Sequence, residues 1–337
     1  MVNIFKKRIY EHYTLYKFNR SPVKALKSIH IQLNNFCNLN CKWCSFVNPP
    51  EKELIKKELL IKLFDEITTD KRFNIKEINL WSAGEPLLHI DFVGIMELIA
   101  KYKKKNANFP KVKIMTNVML LNEEIAKKII KIGAIDYIGF SVDGGSREGY
   151  ERLRAGGKFD IMKRNIQYFV KINNGKIQTM VNCVVPLEKP LDTSWMSEEF
   201  REILESVDFY KLNYPDNNAG KILVEYPNGF KFNKTNRKVC LALIQGLVII
   251  QNGNVLFCCN DFNGDYPFDN LYQNSLFEIC NSRIRKDTVD NFLKGGKKSN
   301  RLCSNCNRFE VPFKIFKNEK IQTNQTIKGK VRLRETS

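Results

Sequence analysis

From Ser28 onward, short runs of β-branched and apolar residues alternate with stretches in which apolar positions recur every three or four residues. The short runs predict strands over residues 29–33, 75–80, 112–116, 137–142, 177–185 and 207–212. The longer period predicts helices between them, with Leu60, Phe64 and Ile67 on one face before the second strand and Ile125, Ile129 and Ile132 before the fourth. Asn122 ahead of Glu123 and Glu124, and Ser197 ahead of Glu198 and Glu199, have the form of N-caps with acidic first turns. Such alternation builds βαβ units on a parallel sheet, so the expected fold class is α/β, a partial (β/α)6 barrel two units short of closure. Ligands of such a sheet belong in the loops after the C-terminal strand ends.

After Asn213 the pattern changes. Residues 213–220 are rich in turn formers, then 247–251 and 255–258 frame Asn252-Gly253-Asn254 as a hairpin, followed by a helical stretch over 275–292 and a cysteine-bearing loop. The expected division is therefore a basic segment at 1–27, the barrel at 28–213, a small α+β domain at 214–313 and a mobile basic tail at 314–337.

The net charge of +19 is partly terminal: residues 1–27 hold seven Lys or Arg, Lys6, Lys7 and Arg8 among them, against Glu11 alone. No zinc-finger, Walker A or RNA-binding signature accompanies the charge, so no nucleic-acid partner is expected, and the excess reads as a solvated surface open to peripheral contact with anionic surfaces. No apolar run approaches the roughly 20 residues of a membrane helix, and no export signal precedes the first strand, so a cytoplasmic location is expected. Ten cysteines in such a chain point to metal rather than to disulfides.

Cys37-Asn-Leu-Asn-Cys41-Lys-Trp-Cys44 directly follows the first strand. Three thiolates in eight residues can hold a cubane while leaving one iron open, whereas structural zinc wants a fourth ligand that this loop lacks. Further strand ends carry Ser82-Ala-Gly-Glu-Pro86, Met115-Thr-Asn117 and Ser141-Val-Asp-Gly144, with Arg154-Ala-Gly-Gly157 after the last.

Together these motifs resemble those of the radical S-adenosylmethionine (SAM) enzymes. The resemblance implies that Cys37, Cys41 and Cys44 hold a [4Fe–4S] cluster whose open iron chelates SAM. It implies further that reductive cleavage yields a 5′-deoxyadenosyl radical. Trp43, Gly84, Glu85, Asn117, Ser141 and Arg154 become the expected cofactor-binding residues, with Glu85 on the methionine ammonium and Ser141 and Arg154 on its carboxylate. Two departures stand out: Ala83 replaces the first glycine of a Gly-Gly-Glu-Pro motif, tolerable only if its φ is negative, and Val118 replaces the glycine of Thr-Asn-Gly.

Cys240, Cys258, Cys303 and Cys306 make a second set, which on spacing alone suits a zinc ribbon or an iron–sulfur site equally. It resembles the SPASM and shortened twitch extensions of the same family, which implies one auxiliary [4Fe–4S] cluster with four protein ligands. Cys259 is an alternative to Cys258; Cys280 reads as core, and Cys183 could face either way.

A fully ligated second cluster suits electron transfer, so the expected reaction is a two-electron oxidation of a sugar, cyclitol or glycan-type small molecule, supported by a reductant such as flavodoxin or ferredoxin. A peptide-modifying maturase is the alternative within the family, and a non-catalytic iron–sulfur protein the alternative outside it. No proton acceptor is identifiable, although Tyr210, Lys211 and Asn213 should face the cavity.

Overall fold

A computed structural model describes residues 2–233, 240–308 and 310–318, with backbone alone for 2–8. The six expected strands form in order: β1 (Ser28–Ile31), β3 (Glu77–Asn79), β4 (Lys111–Thr116), β5 (Tyr137–Ser141), β7 (Gln178–Val184) and β8 (Phe209–Asn213), each parallel to the next. The helices α3 (Lys57–Thr69), α4 (Phe92–Lys105), α5 (Glu123–Ile132), α7 (Phe159–Asn173) and α8 (Glu198–Ser206) connect them, with α6 (Arg147–Leu153) as an extra turn after β5. Asn122 and Ser197 cap α5 and α8, accepting from Ile125 N and Phe200 N. Leu60, Phe64 and Ile129 are buried against the sheet, with Ile67, Ile125 and Ile132 partly so. The architecture is the partial (β/α)6 barrel with a C-terminal α+β extension.

The extension is not a separate layer. Its hairpin, β9 (Gly246–Ile249) and β10 (Asn254–Leu256), with β11 (Pro267–Asn270), joins the same sheet, β9 lying parallel to β1 with Ile29 opposite Leu247. At the other edge β12 (Phe313–Lys317) pairs antiparallel with β8 along its whole length. One ten-stranded sheet results, in which the extension covers both edges of the barrel strands.

The mobile tail expected from Lys314 is thus corrected for 314–317, where ladder bonds to β8 and the stacking of Phe316 on Tyr210 hold the strand. The tail at 319–337 lies outside the described residues. The helical stretch expected at 275–292 is two helices, α10 (Leu276–Asn281) and α11 (Arg283–Gly295), because Ser282 leaves helical geometry and caps the second by accepting from Arg285 N.

Ahead of β1 lie α1 (Val2–Arg20) and the short α2 (Pro22–Ala25). The Lys6, Lys7 and Arg8 side chains lie outside the described ones. Phe18 and Ala25 pack with Leu243 and Ile244 of α9 (Leu241–Gln245) and with Val289 and Phe292 of α11, next to Cys240 and Cys303. Two short strands, β2 (Asn40–Cys41) and β6 (Arg154–Ala155), pair antiparallel away from the main sheet.

Candidate radical and auxiliary cluster sites

The loop after β1 is set by the Ser82–Pro86 turn. Gly84 has φ 75°, and a Cβ there would meet Asn34 Oδ1 at 2.6 Å and the Phe36 carbonyl at 2.8 Å. Only glycine lets the two segments approach so closely. The next residue completes the junction: Glu85 N donates to the Phe36 carbonyl and the Glu85 carbonyl accepts from Asn34 Nδ2. Cys37 therefore begins from a fixed backbone. Ala83 keeps negative φ, so the missing first glycine costs no backbone strain.

The Glu85 side chain is buried and ties the turn after β3 to the end of β4. Its Oε1 accepts from Thr116 Oγ1 at 2.7 Å and from Leu87 N, while Oε2 accepts from Asn117 N at 2.7 Å. Desolvation raises its pKa, opposed by these donors and by Arg154. A carboxylate offers about four acceptor positions, so three internal donors leave room for one external cation. Val118 pays for this turn with φ 74°, and its N–H donates to Thr116 Oγ1.

Asn117 continues toward the cysteines, its Nδ2 donating to Asn38 Oδ1 at 2.8 Å and to Cys37 Sγ at 3.8 Å. On the opposite side Arg154 faces Cys41 across the β2–β6 ribbon, and its Nη1 donates to Cys41 Sγ at 3.7 Å. Arg154 Nε stands 2.8 Å from Asp143 Oδ2, an ion pair by distance although the angle is poor for a hydrogen bond. Asp143 also accepts from Val184 N; both members of the pair are buried. Ser141 ends β5, half-buried and opposite Asn182. Asn34, Asn38 and Asp143 were not singled out from sequence; Asp143 sits inside a quoted motif, whereas the asparagines carry no local signal.

The three thiols of this loop are all raised, chiefly by desolvation, Cys41 to about 12 despite Arg154. Thiolates here would need a bound cation to offset that burial, which is what iron supplies. Around them, Trp43 Nε1, Ser45 Oγ, Ser82 Oγ and Tyr150 OH are buried with no hydrogen-bond partner among the described residues. Soft donors, N–H groups aimed at sulfur and waiting polar atoms fit a cluster with a polar ligand upon it.

Cys240, Cys258 and Cys303 line a cavity of about 540 Å³ beneath α11. Cys306 adjoins them electrostatically, through Cys240 and Cys303. Cys259 does not line this cavity, but its thiol hydrogen-bonds that of Cys258; it also faces Arg308 and His30 and packs on Val248, Ile250 and Leu256. Asn260 N donates to Cys258 Sγ at 3.4 Å. Desolvation pushes Cys303 to about 12. Among the described residues no three Cys, His, Asp or Glu side chains converge on a single-ion site. Cys183 and Cys280 are buried in the core.

Between the two cysteine sets lies a second cavity of about 320 Å³, lined by Trp43 from the first loop, Lys211 and Asn213 from β8, and Arg308 from the second loop. Tyr210 does not reach it, being stacked on Phe316 at 4.7 Å. The turn-rich 213–220 segment forms part of its wall, with Asn218 buried and donating from Nδ2 to the Trp43 carbonyl.

A barrel whose strand-end motifs converge on three cysteines, followed by a four-cysteine extension, defines an iron–sulfur enzyme class. The radical SAM superfamily profile matches residues 31–193 and the SPASM profile, an iron-sulfur cluster-binding domain, matches residues 240–307. The chain belongs to the radical SAM superfamily and carries a C-terminal SPASM domain. Its cofactors are accordingly a SAM-binding [4Fe–4S] cluster, auxiliary iron–sulfur and SAM.

A probable GTP 3′,8-cyclase of Methanococcus maripaludis is 26% identical over 151 residues, which cover 44% of this chain and 47% of that protein. The chain spans about half the length of the curated relatives it matches. Among solved structures, BtrN in complex with AdoMet and 2-DOIA superposes with a TM-score of 0.58 at 18% identity, covering 84% of this chain and 93% of that one. Streptococcus suis SuiB bound to precursor peptide SuiA gives 0.61 at 14% identity, covering 89% and 74%. At these identities the likeness is one of fold. Among the described residues no helix is long and apolar enough to cross a membrane.

Proposed function

We propose that this enzyme removes two electrons from a sugar, cyclitol or glycan-type small molecule. In this reading residues 28–213 act as the radical domain and 214–313 as the auxiliary-cluster domain. Cys37, Cys41 and Cys44 ligate the SAM-binding cluster, and Cys240, Cys258, Cys303 and Cys306 ligate one auxiliary cluster. Bound in place, SAM and its cluster supply hydrogen-atom abstraction, and the auxiliary cluster supplies a one-electron acceptor.

The chain's own residues hold and orient. Glu85, pinned by Thr116 and Asn117, presents its remaining acceptor position to an ammonium. Arg154, aligned by Asp143, and Ser141 at the end of β5 take a carboxylate. Gly84 fixes the loop, and Trp43 closes one wall of the substrate cavity.

The observation that carries the reading is Arg308. It lines the cavity that reaches Trp43 and is electrostatically coupled to the thiols of Cys259, Cys258 and Cys306, which supports a reading with an electron acceptor near a substrate held in that cavity. Anaerobic reconstitution with deuterated sugars, cyclitols and peptides tests it. Deuterium should pass from a sugar or cyclitol into 5′-deoxyadenosine, with one oxidised product per turnover. Transfer from peptides alone would replace this reading with that of a peptide maturase. Cluster retention without SAM cleavage would remove the catalytic claim altogether.

A further inference from the structure

The cavity between the two cysteine sets brings two cations, Lys211 and Arg308, against one carboxylate, Asp216. The two cations are not equivalent. Arg308 is already engaged, donating from Nη1 to Asn260 Oδ1 and lying beside Asp216 and the thiols of Cys259, Cys258 and Cys306. Asp216 in turn accepts from Asn218 N at 2.8 Å. Lys211 has nothing comparable. Among the described residues its amine makes no hydrogen bond and no ion pair, and its named contact is the face of Phe313 at 4.8 Å. Desolvation, then Arg308, lowers its pKa to about 8, with Asp216 opposing.

A half-buried ammonium that has only one carboxylate near it, Asp216, and shares that carboxylate with Arg308 gains from a ligand that supplies a further negative charge. Next to it Asn213 Oδ1 is buried with no donor among the described residues, although Asn213 Nδ2 is committed to the Tyr214 carbonyl. Lys211 is thus the cavity cation that no hydrogen bond holds, and Asn213 Oδ1 lies enclosed beside it rather than open to the cavity. A cation so placed matches an acid on a small molecule.

We propose that Lys211 anchors a carboxylate of the substrate in this cavity, so that the substrate class is an acid-bearing sugar or cyclitol such as a uronic acid. This deepens the oxidation reading above and rests on it for the sugar framework. A single negative charge is the better match, because Asp216 and the cysteine thiolates would repel the second charge of a phosphate dianion. Placed between Trp43 and Arg308, the acid would hold the ring with one side toward the radical loop and the other toward the second cysteine set.

Calorimetric titration of the anaerobically reconstituted full chain, with SAM present, tests the subsite. The probes are D-glucuronate and D-galacturonate, the neutral D-glucose and D-galactose, and D-glucose 6-phosphate. The uronates should bind about tenfold or more tightly than the neutral sugars, the scale of one charge-assisted hydrogen bond. Lys211→Met and the polar, neutral Lys211→Gln should each erase that preference, and Lys211→Arg should keep most of it. Iron content and circular dichroism verify that each variant is folded.

Uronates binding no tighter than neutral sugars, or a preference that survives in both neutral variants, overturns the subsite. So does glucose 6-phosphate binding more tightly than both uronates. Hydrogen transfer from neutral sugars without Lys211-dependent uronate binding removes the subsite and leaves the oxidation reading standing. Lys211-dependent uronate binding without transfer from any sugar does the reverse.

Discussion

At φ 74° Val118 lies in the left-handed region, where a β-branched side chain crowds its own backbone at roughly 1–2 kcal/mol. The turn needs that geometry so that Asn117 N can reach Glu85 and Val118 N can reach Thr116. Burial of the valine side chain offsets the strain. Val118→Ala loses that burial and keeps the strain, whereas Val118→Gly loses it and relaxes the turn. Glycine should therefore equal or exceed alanine in urea unfolding, inverting the ordinary order in which glycine is worse by about 0.5–1 kcal/mol. An ordinary order would mean the turn is unstrained. Lys211 makes a separate case. Its folded pKa of about 8 is below the usual lysine value of 10.5. Below pH 8 the amine is charged in both states and the folded chain bears the desolvation cost. Between 8 and 10.5 the unfolded chain binds more protons, so stability rises with pH and the cost disappears. Without substrate, Lys211→Met should raise the urea midpoint at pH 7 and change it little at pH 10; an equal gain at both would show that charge is not the cause.

At the scale of elements, the β2–β6 ribbon couples the first cysteine loop to the turn after α6, with Arg154 held between Cys41 and Asp143. Asp143→Ala strips the counter-ion from a buried guanidinium, which typically costs about 3–5 kcal/mol. It should also weaken SAM binding, read by equilibrium dialysis, because Arg154 loses its alignment. A loss of stability with unchanged SAM affinity would separate the ion pair from the cofactor site. The parallel strands were legible in the sequence because each is a short run of β-branched and apolar residues bounded by turns, as in β4 and β7, where every second residue is buried. The ribbon was not, since two-residue strands have no period. Nor was the parallel pairing of β9 with β1, which joins residues more than 200 positions apart and leaves no local trace. Phe313–Lys317 was hidden by composition: an edge strand with exposed lysines reads as a basic tail. The cysteines and strand-end motifs announced the radical site through spacing. Arg308 and Asn34 could not be found that way, because their roles depend on what folding brings beside them.

Across the whole molecule, the two cysteine sets sit on one continuous sheet yet draw on different segments. The first set rests on the β1 loop and its contacts to Glu85, Asn117 and Arg154. The second rests on α9, the β10 end and the loop around Cys303 and Cys306, with α1 packed beside it. Each set has its own ring of contacts, so losing one need not empty the other. Wild-type chain should load about eight iron atoms, two cubanes. Cys303→Ser with Cys306→Ser should load about four and retain the SAM-binding cluster. The fold should persist because β9 remains paired to β1 along four residues and β12 to β8 along five. SAM cleavage to 5′-deoxyadenosine should continue in this variant, while formation of oxidised product should collapse, because the electron left on the substrate loses its acceptor. Iron and sulfide analysis, Mössbauer spectra and product counts per 5′-deoxyadenosine distinguish the outcomes. Complete loss of iron would make the two sites one cooperative unit. Undiminished oxidised product at half the iron would mean that the second cluster serves structure alone, and the residues around Arg308 would then need another role.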